Sequence, residues 1–104
     1  MSKKFTFFVG FHGRARPMYM VLDHAKVKYV DNRVTREEYA AMKEAGTAHG
    51  IPSWEENGVH FDESKALLRY LATTNGYYPK DALTAYKADK VIDYFNSLLE
   101  TWIP

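Results

Sequence analysis

Residues 4–9 read Lys-Phe-Thr-Phe-Phe-Val, a β-branched and aromatic run that predicts a strand. A loop with glycines at 10 and 13 follows. From Arg14 the period lengthens. Met18, Val21, Leu22 and Ala25 fall three or four apart, the buried stripe of a helix, and Pro17 stands in its first turn, where a missing N–H is tolerated. Residues 27–34 return to alternation, with Val27, Tyr29 and Asp31 on one side and Lys28 and Val30 on the other. Thr35-Arg36-Glu37-Glu38 is a capping box, and the short helix behind it carries Tyr39, Met42 and Lys43 before stopping at Gly46. Two apolar runs, 51–55 and 59–61, flank Glu56-Asn57-Gly58, a strong hairpin signal. Asp62 is placed to cap a helix with the stripe Ala66, Leu67, Tyr70 and Leu71, which Asn75-Gly76 ends. The order β-α-β-α-β-β-α predicts an α/β domain with one mixed four-stranded sheet.

A last helix spans 82–102. Val91, Tyr94, Phe95, Leu98, Leu99, Trp102 and Ile103 recur along it at helical spacing and give it a wide apolar face. A small sheet domain covers only part of such a face, and leaving several large apolar side chains in water invites association. The helix is therefore expected to meet a protein partner: a second copy, another subunit or further polypeptide.

Composition removes several other functions. The chain has 104 residues, enough for one small domain, and a formal net charge of +1 with scattered Lys and Arg. That balance supplies no field for nucleic acid or an anionic membrane. Cysteine is absent, which excludes disulfides, thiolate metal sites and a Cys nucleophile, and accords with a reducing compartment. No apolar run approaches the roughly 18 residues of a transmembrane helix. The basic-then-apolar start resembles a signal peptide, but its apolar run is short and no small-residue cleavage site follows, so a first strand is the preferred reading. His12, His24, His49 and His60 lack metal-ligand spacing, and no metal is expected.

Several segments together resemble the glutathione S-transferases, the sigma-like members in particular. Gly13-Arg14-Ala15-Arg16-Pro17 is similar to their Gly-Arg-Ala-Glu-Pro segment, and Ile51-Pro52 to their cis-proline turn. Glu63-Ser64 followed by Ala66-Leu67-Leu68-Arg69-Tyr70-Leu71-Ala72 resembles a family signature. Residues 77–81 and 85–89 resemble the interdomain linker and the opening of the second domain. The resemblance implies a thioredoxin-like domain over 1–77, with 78–104 as the linker and first helix of a truncated carboxy-terminal domain.

It also implies a glutathione site. The Ile51 backbone before Pro52 would pair with the cysteinyl part of the tripeptide, as an added strand does. Ser64 and the helix start behind it would hold the γ-glutamyl carboxylate, and Glu63 its ammonium. Lys43 would meet the glycyl carboxylate, beside Tyr39 on the same helical face, with Arg14 in support. Asp93 matches an acidic position that serves the partner subunit's site in dimeric members; a solvated helix residue is the equal alternative.

Three departures stand out. The family's catalytic Tyr, which stabilises the glutathione thiolate, is replaced by Phe8, or by Phe7 if the loop carries an insertion, and neither has a donor. Gly50 stands where a Gln or Lys usually precedes the turn. Of the all-helical substrate domain, only the first helix is present. The favoured expectation is an accessory or structural subunit of a larger assembly, catalytically impaired and with residual glutathione binding. A binding module and a glutathione transferase, or a fragment of one, that conjugates electrophiles are the alternatives. The default location is cytoplasmic, and an organellar one, as in a mitochondrial complex, is the alternative.

Overall fold

A computed structural model describes residues 2–10 and 13–102, apart from the side chain of Trp102. The expectations placed on His12, Ile103 and the Trp102 side chain fall outside the described residues. The elements follow the predicted order. They are β1 (Lys3–Phe8), a 3-10 turn (Gly13–Ala15), α1 (Arg16–His24), β2 (Val30–Val34), α2 (Arg36–Glu44), β3 (Ser53–Glu56), β4 (Val59–Phe61), α3 (Ser64–Thr74) and α4 (Ala82–Trp102). The sheet order is β2-β1-β3-β4. β1 runs parallel to β2, with Phe8 opposite Val34, and antiparallel to β3, which turns back into β4. Asn57 and Gly58 make that turn at φ 52° and 82°, the two positive values a two-residue hairpin requires. Ile51-Pro52 is cis.

The two faces of the sheet differ in chemistry. Phe5 and Phe7 of β1 and Trp54 of β3 point into a core closed by Met18, Tyr19 and Leu22 of α1 and by Leu67, Leu68 and Leu71 of α3. Phe5 meets Tyr19 edge-on at 4.9 Å between ring centroids. The other face presents Lys4, Thr6, Asn32, Ser53 and Glu55 toward Tyr39 and Met42 of α2. No residue of α2 is buried. At its start Thr35 Oγ1 accepts from the Glu38 N–H at 3.0 Å and Glu38 Oε1 accepts from the Thr35 N–H at 2.9 Å.

Four local expectations are corrected. The second strand begins at Val30, because β1 offers it no partner before Lys4; residues 27–29 lead in with the expected alternation of exposure. The first helix opens as the 3-10 turn and becomes α-helical only at Arg16. Asp62 does not cap α3: Glu63 takes the capping position at φ 62°, without a side-chain cap. In α3 Ala66 is exposed and Leu68 is buried, since the helix packs on α1 as well as on the sheet.

α4 runs over the residues expected of it, and the domain covers only part of its apolar stripe. Ile92 packs against the core and Asn96 is buried. Phe95 and Leu99 are half-buried, while Val91, Tyr94 and Leu98 are exposed. Polar contacts fix this rotation. Arg69 Nε donates to Asp89 Oδ1 at 2.8 Å, and the Tyr78 hydroxyl donates to Asp89 Oδ2 at 2.8 Å. Lys65 and Arg69 each reach Asp93 at 3.6 Å, so Asp93 is engaged within its own chain.

Candidate functional site

Two depressions meet at Gly50, which lines both. The larger, about 350 Å³, gathers Arg14 from the 3-10 turn, Ile51 and Pro52 from the loop before β3, and Glu63 and Ser64 from the start of α3. Asn96 and Glu100 of α4 close its far wall. The smaller, about 170 Å³, lies between the polar sheet face and α2, with Tyr39 on its rim. Five of the seven residues expected to contact glutathione thus share one cleft. Tyr39 stands on the neighbouring depression, and Lys43 beside it, with Nζ 4.9 Å from the centre of the Tyr39 ring.

The cleft is suited to a zwitterionic, extended ligand. The first N–H groups of α3 receive no side-chain cap, so they and the half-buried Ser64 hydroxyl present donors and the positive end of the helix dipole to an anion. The Glu63 carboxylate stands beside them for a cation. The Arg14 guanidinium lies 3.7 Å from the Glu100 carboxylate, so part of its charge is answered from α4.

At the end of β1 the two phenylalanines separate. Phe7 is only 3% exposed and belongs to the core, whereas Phe8 is half-buried and reaches the surface. Its ring meets Tyr39 edge-on at 5.7 Å, and the Arg36 guanidinium carbon lies 5.0 Å from its centroid. Asn96 and Glu100 line the larger depression although no site role was expected of them. Arg36 reaches Phe8 only because the parallel register sets Phe8 opposite Val34, two residues before it. Asn96 and Glu100 enter through the rotation of α4.

The largest pKa shifts lie elsewhere. Burial, reinforced by the Asp23 carboxylate, pushes the Tyr29 phenol up to about 12. Burial beside Asp31 raises Tyr19 too, and its hydroxyl donates to Asp31 Oδ1 at 3.2 Å. Both phenols are protonated donors in a network below β2. Among the described residues no three His, Asp or Glu side chains are grouped to hold a metal, and no helix is long and apolar enough to cross a membrane.

The fold and the cleft define a thioredoxin-like α/β domain with a site at the ends of its parallel strands. Its relatives narrow the class. No family model matches the chain. Glutathione S-transferase 3 of Caenorhabditis elegans is 28% identical over 99 residues, 95% of this chain and 47% of the relative. S-crystallin SL20-1 of Nototodarus sloanii is 29% identical over 88% of this chain and 41% of its own length. Among solved structures, a Nu-class glutathione transferase from Haemonchus contortus superposes with a TM-score of 0.82 at 32% identity, over 95% of this chain and 48% of that one. The protein is a glutathione S-transferase-like chain, and it spans about half the length of the curated relatives it matches.

Proposed function

We propose that this chain binds glutathione across the two depressions, activates its thiol weakly, and serves as an accessory or structural subunit. The observation that carries the reading is the convergence of Arg14, Ile51, Pro52, Glu63 and Ser64, far apart in sequence, on one cleft beside a helix start without a side-chain cap. In this reading the γ-glutamyl group lies at Ser64 and Glu63, the cysteinyl part along the Ile51 backbone, and the glycyl carboxylate near Lys43 and Tyr39. The thiol then faces Phe8, which offers no hydroxyl. Residues 1–77 form the binding domain in this account, and 78–104 belong to a second, helical unit. The exposed Val91, Tyr94 and Leu98 supply a surface for a protein partner or a second copy.

The alternative reading is a transferase, or a fragment of one, that conjugates glutathione to electrophiles; the relatives carry the name glutathione S-transferase, which both readings accommodate. Calorimetric titration with glutathione, paired with turnover of a generic electrophile, separates the two. Saturable binding with little turnover is expected, and Ser64→Ala should weaken binding roughly tenfold or more, the loss of a hydrogen bond to a charged group. Absence of saturable binding would retire the glutathione site. Turnover at ordinary transferase rates would make the second reading the correct one.

A further inference from the structure

We propose that Arg36 supplies the charge that holds bound glutathione partly as thiolate beside Phe8, whose ring carries no hydroxyl. The inference rests on the glutathione site described above. It follows from what surrounds Phe8. The Arg36 guanidinium lies over that ring, 5.0 Å from its centroid. A guanidinium stays protonated at every relevant pH, and an opposite charge within about 4–6 Å favours the ionised form of a titrating group.

The neighbouring charges are committed elsewhere. Arg14 faces Glu100 of α4 at 3.7 Å, and Arg33 of β2 donates to Asp31 at 2.9 Å. Lys43 stands over Tyr39, two turns further along α2. Glu38, the acidic group bonded at the start of α2, has its Oε1 held by the Thr35 N–H at 2.9 Å. Among the described residues, Arg36 has no carboxylate within ion-pair distance, so its charge is available to a ligand. It occupies the first helical position of α2, where the dipole adds to the same sign. A thiol settling against Phe8 would release its proton to solvent, and the resulting anion would share the guanidinium with the ring. Charge alone, without a hydroxyl on the Phe8 ring, gives partial activation and predicts weak turnover.

The test is a pH titration of the ultraviolet thiolate absorbance of bound glutathione, in the wild type, Arg36→Gln and Arg36→Lys, with binding of S-methylglutathione measured alongside. Arg36→Gln should raise the pKa of the bound thiol by about one unit, a roughly tenfold smaller thiolate fraction near neutrality. Arg36→Lys should recover most of the shift, and S-methylglutathione, which cannot ionise at sulfur, should bind all three proteins alike. An unchanged thiol pKa in Arg36→Gln overturns the role of Arg36 and leaves the site standing. So does a wild type that binds glutathione with the pKa of the free thiol. A wild type that binds neither ligand removes the glutathione site and this role with it.

Discussion

Phe8 and Phe7 are neighbours of the same type, yet opposite experiments are predicted for them. Phe8 lies half-exposed between Tyr39 and Arg36, so Phe8→Tyr places a hydroxyl at the surface where the thiol is proposed to sit. Turnover of a generic electrophile should then rise by roughly two orders of magnitude, the usual worth of one well-placed anion donor. Phe7 is 3% exposed within the core, and Phe7→Tyr would bury a new hydroxyl. That change should cost about 1–3 kcal/mol in a denaturant titration and bring no gain in turnover. Equal effects of the two substitutions would show that the thiol does not lie at Phe8. The sequence leaves the choice between them open because a loop of uncertain length follows. In the structure the two differ: Phe7 lies within the core beside Phe5, whereas Phe8 packs against that core and also reaches the surface.

Among the elements, those specified by local chemistry are the ones legible in the sequence. The Thr35–Glu38 box, the Asn57-Gly58 turn and the span of α4 each depend on neighbours a few residues away, and each forms as read. The start of β2, the cap of α3 and the rotation of α4 depend on partners distant in sequence. The lining of the larger depression divides the same way: motifs point to Ser64 and Ile51, whereas Asn96 and Glu100 reach it through packing. α4 shows how the distant partners act. Its long apolar stripe does not decide which side docks, because Asp89 binds Arg69 and Tyr78 and turns Ile92 inward. The Asp89 carboxyl is held below the usual carboxylate range, chiefly by the Arg69 hydrogen bond and then by that of Tyr78. Because the folded value is the lower one, this stabilisation is complete above the unfolded carboxylate pKa of about 3.9 and fades as pH falls through the depressed folded value. Amide exchange in α4 should therefore accelerate in acid, at a pH where β1 and β3 stay protected. Asp89→Asn should produce the same selective loosening at neutral pH. Uniform exchange across α4 and the sheet would show instead that the helix and the domain unfold as one unit.

For the whole molecule, the question is what α4 does with the side it leaves outward. Val91, Tyr94 and Leu98 are 69%, 66% and 44% exposed and follow one another along the helix at intervals of three and four. They continue past the half-buried Phe95 and Leu99, so the apolar surface wraps from the docked face onto the open one. Covering one such side chain fully is worth roughly 1.5–3 kcal/mol, and three together outweigh much of the cost of joining two molecules only if neighbouring residues add to the contact. Tyr86 and Leu83, also exposed, extend the surface toward the start of α4. The combined substitution Val91→Gln, Tyr94→Gln and Leu98→Gln removes the driving force without touching Ile92, Asn96 or the Asp89 network. Sedimentation velocity should find the wild type associated and this variant monomeric, with an unchanged circular dichroism spectrum, since none of the three side chains belongs to the core. A wild type that stays monomeric across micromolar concentrations would mean that this face tolerates water, and the accessory-subunit reading would lose its structural support. If the variant remains associated like the wild type, contact is made through another surface, and the outward side of α4 is not the interface.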